Sequence, residues 1–321
     1  MKFTVVAEYK HSPAEGINVV SRTLVDGLRA KGHEVRVFSP QTLIRDLPAL
    51  ILDRAPTTVF THGPGVRTVL AGRVLRALSP TRIVWVATRP DLDRLPGWLA
   101  GGRTAHDIVS NRVRADLSRA AVDASIVVQP IGIAPERLAA SHAPLLWPEI
   151  RASGRPIAVH VGHLRRNRGL EHLIATKGAV RERLEIIVQA SPYFEPDAGV
   201  TDELEAAGIH VERQFVTNIA DVYRSADLYL FPAPEEGRGA IDLPLSVLEA
   251  VACGLPVVST PFGALPETLA DTPGIYFSEP VHFPSTVADW VDGKLQGRPL
   301  KLPERLNAHR LTDIVVELAR K

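Results

Sequence analysis

Short runs rich in β-branched residues, each followed by a segment of helical period, recur along most of this chain. "KFTVVAEY", "HEVRVFSP", "TTVFTHGP" and "TRIVWVATRP" read as strands. Between them, "VVSRTLVDGLRAKG" places Val20, Leu24, Val25 and Leu28 on one helical face and stops at Gly32; "GVRTVLAGRVLRAL" has the same texture. "AHDIVSNRVRADLSRA" reads as a further helix and "SIVVQPIGI" as a strand. Strands that alternate with helices require right-handed crossovers and a parallel sheet, so the chain is expected to be an α/β protein.

The alternation is interrupted once. Residues 141–156 are rich in proline, serine and alanine and have no clear period, which marks a linker. Beyond it the pattern resumes. "PIAVHVG", "LEIIVQAS", "HVERQFV", "DLYLFPA" and "LPVVST" read as strands, with "GLEHLIATKGAV", "VTDELEAAG", "IADVYRSA" and "LSVLEAVACG" as helices. A length of 321 residues suits two such domains, over 1–140 and 157–300. Residues 301–321, with "RLNAHRLTDIVVELARK", form a terminal amphipathic helix that could pack back on the first domain. Two Rossmann-like halves are expected to face a cleft, with ligands beyond the carboxyl ends of the strands.

Charge and composition exclude several classes. The net charge of +1 argues against a general nucleic-acid binder. It conceals an asymmetry: residues 1–150 hold 19 Lys and Arg against 13 Asp and Glu, and the remainder holds 18 against 23. A basic first half suits an anionic substrate or membrane surface, or is a solvated face. No G-x-G-x-x-G follows the first strand of either half, which disfavours a nicotinamide or flavin cofactor, and none is expected. Cys253 reads as a small core residue in "EAVACG". "HVGH" at His160 and His163 has no partner ligands at metal spacing, and nothing else in the chain fits the fold in which a D-x-D pair such as Asp91 and Asp93 holds a metal, so no metal is expected. No apolar run is long enough to span a bilayer and the amino terminus reads as a strand, so the expected location is cytoplasmic. Trp98 and Leu99 leave open a peripheral contact with the inner membrane face.

One junction is unusually acidic. "FPAPEEGRGAIDLPLSVLEAVACGLPVVSTPFGALPE", residues 231–267, places Glu235, Glu236, Asp242 and Glu249 around a loop, a helix and a strand. Carboxylates there either hold a polyhydroxylated ligand or cap and solubilise the helix.

"SPAEGINVVSRTLVDGLRAKGHEVRVFSP", "VHVGHLRRNRGLEHLI", "FVTNIADVYRSADLYLFP" and "LSVLEAVACGLPVVSTPFGALPE", in that order, resemble the GT-B fold, family-4 (group 1) retaining glycosyltransferases. The resemblance runs from near residue 1 to about residue 270 and is most specific in "LEAVACGLPVV". It implies a metal-independent retaining transfer of a sugar from a UDP- or GDP-sugar to a glycan, lipid or small-molecule acceptor. In the family the turn G-R-L-x-x-x-K-G grips the diphosphate. Here His163 and Arg168 hold those places, with Arg165 or Arg166 beside them as compensating cations. The family's E-x7-E motif puts a ribose-binding carboxylate at Glu249, and the helix start Leu245, Ser246 and Val247 offers N–H groups to a phosphate. Eight residues before Glu249 stands Ile241, so the first acid is off register. Asp242 is the expected sugar-facing carboxylate, or alternatively the helix cap, and Glu236 lies further upstream. Gly16 takes the place of the family's glycine loop, and His62 in "FTHGP" is expected at the reacting end of a strand. The family's T-x-H segment is "VATRPD" here, with Thr88 and Arg89 on the acceptor side and no histidine. These departures keep a second reading open, a sugar-nucleotide-binding pseudoenzyme or partner subunit. A GT-B sugar-nucleotide epimerase is a weaker third, since it wants more carboxylates and histidines than these.

Overall fold

The computed structural model describes residues 1–9, 16–90, 95–99, 107–112, 117, 125–139, 144–192, 194–234, 241–299 and 302–321. The chain divides into two compact units. The first comprises Met1–Ala134, Ile241–Leu243 and Glu304–Lys321; the second, Pro135–Ala240 and Pro244–Pro303.

In the first unit the order is β1 (Lys2–Val6), α1 (Gly16–Ala30), β2 (Glu34–Phe38), α2 (Leu43–Asp53), β3 (Thr57–Phe60), α3 (Val66–Leu78), β4 (Arg82–Ala87), β5 (Asp107–Ser110) and β6 (Ser125–Val128). Among the described residues these strands form one parallel sheet in the order β2-β1-β3-β4-β5-β6. The second unit runs α4 (Pro148–Arg151), β7 (Ile157–Gly162), α5 (Leu170–Val180), β8 (Glu185–Ala190), α6 (Val200–Ala206), β9 (His210–Glu212), α7 (Ile219–Arg224), β10 (Leu228–Phe231), α8 (Leu245–Ala252), β11 (Val257–Ser259), α9 (Leu265–Leu269), β12 (Ile275–Phe277) and α10 (Phe283–Val291). Its parallel sheet is ordered β12-β11-β10-β7-β8-β9. The last helix, α11 (Ala308–Arg320), belongs to the first unit and packs on α1.

Central strands are buried on both faces, as helix-covered parallel sheets require. Every residue of β3, β8 and β10 is buried. Phe60, Trp85 and Leu75 anchor the first core; Ile186, Leu230 and Phe283 anchor the second. Helix α11 turns Leu311, Val315 and Leu318 inward. A Cβ on Gly27 of α1 would meet Thr312 Oγ1 at 2.6 Å, so the bare glycine is what lets the two helices approach.

Three features depart from the sequence reading. Asp107–Ser110 is a strand and not part of a helix. Ile108 and Val109 sit fully buried between β4 and β6, so the run has no strand alternation to display. Helix α2 is additional; Pro48 inside it obscures the pattern. The division between units falls at Ala134 and Pro135, ahead of residues 141–156, and that stretch contains α4.

Each sheet has a switch point where successive connections leave in opposite directions: β1/β3 in the first unit and β7/β10 in the second. The loops beyond such strands diverge and open a crevice at their carboxyl ends. Among the described residues, no helix is long and apolar enough to cross a membrane.

Candidate functional site

Strand β7 ends at Gly162, and the chain turns through His163, Leu164, Arg165 and a 3-10 turn, Arg166–Arg168, into α5. Gly169 closes the turn with φ of +72°, and a Cβ there would lie 2.1 Å from the Pro232 carbonyl oxygen. Only glycine lets the turn lie against the residue after β10. Tyr229 of β10 ties in a third element. Its hydroxyl lies 3.5 Å from the Val161 carbonyl oxygen and hydrogen-bonds the Ser246 side chain. The amino end of α8 therefore stands beside the end of β7. Pro244 precedes that helix and provides no side-chain cap, so the N–H groups of Leu245, Ser246 and Val247 face outward from its first turn.

The turn is cationic through Arg165 and Arg168, as expected, but not through His163. His163 is pushed down to about 4 by burial, then by the charges of Arg168 and Arg165, and is neutral at pH 7. The expectation that it supplies part of the positive charge is corrected accordingly. Its ring packs edge-on to Phe194 at 4.6 Å. Arg166 points to α6, donating to both oxygens of Glu203 at 2.7 and 3.1 Å and to the Ala198 carbonyl at 3.1 Å. In this structure its charge is therefore paired on α6 and not directed at the turn. Arg165 stacks over Phe194 at 4.8 Å, and Arg168 acts electrostatically on both His160 and His163. Beneath them His160 is buried, donates from Nδ1 to the Leu230 carbonyl at 2.9 Å and is also lowered to about 4.

Glu249 lies one turn further into α8 with its side chain 4% exposed. Oε1 accepts from Arg137 Nε at 2.5 Å and Oε2 accepts from the Tyr223 hydroxyl at 2.8 Å. Arg137 stands on a 3-10 turn, Pro135–Leu138, and Tyr223 on α7. Burial, then the Glu249 charge, raises the Tyr223 hydroxyl well above its usual range, so it stays a donor. A carboxylate accepts about four hydrogen bonds. One lone pair per oxygen therefore remains for a further donor, a pattern that suits a vicinal diol. Arg137 and Tyr223 escaped the sequence reading: 112 residues separate Arg137 from its partner and no spacing rule joins them.

Asp242 belongs to the first unit and Glu249 to the second. Ile241–Leu243 pack in the first unit, where the Asp242 N–H donates to the Thr88 carbonyl at 2.9 Å and its carboxylate lies 3.4 Å from Arg112. The N-cap position of α8 is taken by Pro244, two residues beyond Asp242.

At the first unit's switch point, His62 follows β3 with Nε2 3.5 Å from Glu8 Oε1 and Nδ1 3.4 Å from Thr61 Oγ1. A cis peptide joins Gly63 to Pro64, and Gly63 bridges Arg89. Thr88 Oγ1 donates to the Thr61 carbonyl at 2.8 Å. His62, Thr88, Arg89 and Asp242 thus converge at the ends of β3 and β4. Gly16 is half-buried and opens α1. Glu235, Glu236, Asp91 and Asp93 lie outside the described residues. Cys253 is half-buried and its thiol is pushed up to about 11, mainly by burial, which keeps it protonated. Among the described residues no group of three or more potential metal ligands occurs.

Residues 155–292, which span the whole β7/β10 switch point, match the family described as glycosyl transferases group 1. This segment is similar to the group 1 glycosyl transferases. The matched segment contains the turn, α8, Tyr223 and Glu249, whereas Arg137 lies ahead of it. Curated relatives include a GDP-mannose-dependent alpha-(1-6)-phosphatidylinositol monomannoside mannosyltransferase from Mycobacterium tuberculosis, 26% identical over 76% of this chain and 70% of its own length. A D-inositol 3-phosphate glycosyltransferase from Paenarthrobacter aurescens is 30% identical over 43% of this chain and 35% of its own. An alpha-maltose-1-phosphate synthase from Mycobacterium tuberculosis is 27% identical over 36% and 31%. The chain spans about a third of the length of the first curated relatives it matches. Among solved structures, sucrose-phosphate synthase from Thermosynechococcus elongatus superposes with a TM-score of 0.72 at 15% identity, over 100% of this chain and 98% of that one. Anabaena HepE in complex with UDP-glucose gives 0.70 at 13%, over 99% and 97%. These likenesses show the fold, the two Rossmann-like units of GT-B proteins.

Proposed function

We propose that this chain is a glycosyltransferase that moves a sugar from a nucleotide-diphosphate sugar, UDP- or GDP-linked, to a glycan, lipid or small-molecule acceptor. The observation that carries the reading is the convergence at one switch point of a cationic turn, an uncapped helix start and a buried, fixed carboxylate. As the bond to the anomeric carbon breaks, negative charge gathers on the leaving diphosphate. Arg165, Arg168 and the N–H groups of Leu245, Ser246 and Val247 are the groups that stabilise it. Because the protein supplies this positive charge itself, the reading is metal-independent. Glu249 accepts the ribose hydroxyls through its two remaining lone pairs. His163, being neutral, contributes a hydrogen bond and not a charge. Asp242 is assigned to the sugar hydroxyls, and His62, Thr88 and Arg89 to the acceptor side. The retaining course follows from the family resemblance alone.

Thermal shift and turnover with UDP-glucose and GDP-mannose test this reading. A donor that binds the folded state raises Tm by mass action. Loss of turnover is expected in Arg168→Ala and Glu249→Gln; neither a shift nor turnover across a panel of nucleotide sugars would sink the proposal. A second reading has its own observation: both Glu249 oxygens already have protein partners. A pseudoenzyme would bind UDP or GDP and neither transfer nor hydrolyse the donor.

A further inference from the structure

Helices α2 and α3 pack side by side on one face of the first unit's sheet. Leu43 and Leu50 of α2 share a core cluster with Val69 and Leu75 of α3. Their outward faces carry, among arginines, a stripe of large apolar side chains. On α3, Val66, Leu70, Val74 and Leu78 follow one another at four-residue spacing; Leu70 is 41% and Leu78 63% exposed. On α2, Ile44 and Leu52 point outward on one stripe at 54% and 76% exposure. Trp98 lies beside them, 73% exposed, because Arg73 of α3 donates to the carbonyls of Trp98 and Leu99 at 3.3 and 3.1 Å. A contiguous apolar stripe left on the outward face of a helix pair is normally covered by something.

The charges decide by what. "VRTVLAGRVLRAL" carries Arg67, Arg73 and Arg76 and no acid. On α2, Arg45 and Asp46 pair with each other, and the Asp53 carboxylate is buried at 1% exposure against Lys2 and Arg36. A second copy meeting this face about a two-fold axis would set like-charged arginines against one another. Outward leucine and valine, an exposed tryptophan and a rim of arginine fit a surface that is apolar beneath and anionic on top. We propose that the α2–α3 face docks on the surface of an anionic phospholipid bilayer, its leucines and Trp98 entering the interfacial layer and its arginines meeting lipid phosphates.

The full chain is incubated with phosphatidylcholine vesicles with and without phosphatidylglycerol, and bound protein is measured by flotation. Binding is expected on the anionic vesicles and weakens as salt rises. Arg67→Ala lowers the partition coefficient by about fivefold. Leu70→Asp with Leu78→Asp abolishes binding while circular dichroism and a cooperative thermal transition show that the fold is retained, since neither side chain is fully buried. Absence of binding, equal binding to neutral vesicles, or binding that survives the double substitution overturns the proposal. A concentration-dependent dimer seen by light scattering and lost in the double variant, without vesicle binding, overturns it in favour of a second copy.

Discussion

At the β7/β10 switch point the chain gathers Arg165, Arg168, the bare start of α8 and a carboxylate locked by Arg137 and Tyr223. At the β1/β3 switch point of the other unit stand His62 with Glu8, Thr88 held on Thr61, Arg89 bridging Gly63, and Asp242 near Arg112. Both sheets are parallel, with the same kind of switch point. The second unit has built a fixed-charge cradle, suited to an anion that must not move. The first has built a cluster of imidazole, hydroxyl, guanidinium and carboxylate groups, suited to hydrogen bonds rather than to one fixed charge. One scaffold thus acquires two chemistries from its loops, because the sheet fixes where the loops emerge and leaves their side chains free.

The comparison can be attacked most directly at Glu249. Replacing it with alanine strips the buried Tyr223 hydroxyl of its acceptor and the half-buried Arg137 of one carboxylate, and should cost about 3–5 kcal/mol of stability in urea unfolding. A loss no larger than that of an exposed surface substitution would mean the cradle is not pre-formed.

Acid should weaken the second unit next. His160 is held near 4 in the folded protein against 6.5 unfolded, so the unfolded chain takes up the proton first. Stability therefore falls as pH drops from about 6.5 to about 4, by on the order of 3 kcal/mol, and is insensitive to this group below that. His160→Gln should flatten that part of the urea midpoint against pH. An unchanged slope would place the acid sensitivity elsewhere.

The division of labour between the units predicts a contrast of similar size. Arg168→Ala should weaken UDP or GDP binding and lower turnover about a hundredfold. His62→Ala should lower turnover at least about a hundredfold with nucleotide affinity unchanged. If both substitutions weaken nucleotide binding alike, the two switch points are not chemically distinct. The smallest effect is expected where α5 leaves the site. A Cβ at Gly178 meets nothing within 4 Å, so Gly178→Ala should raise stability by about 0.5–1 kcal/mol and leave turnover as it was.

The second unit was the more legible of the two. "GHLRRNRGLEHL" and "LSVLEAVACGLPVV" are contiguous strand–turn–helix words, and each word carries its own geometry: glycine where a Cβ would strike Pro232, apolar residues where α8 meets the sheet. Legibility failed where one word depends on another. His163 reads as a weak cation until burial and two neighbouring arginines deprotonate it. Arg165 and Arg166 read alike until Glu203 draws one of them away. In the first unit β5 read as a helix, because a strand enclosed on both faces shows no alternation.

Periodicity and glycine placement along the chain determined the two parallel sheets, their helices and the turn after β7, since backbone preference and burial pattern act over a few neighbouring residues. Only the folded molecule decided the partners of Glu249, the seat of Asp242 beside Arg112 and Thr88, and the outward apolar face of α2 and α3. Those are matters of charge and contact between residues far apart in sequence, and electrostatic energy depends on distance in space.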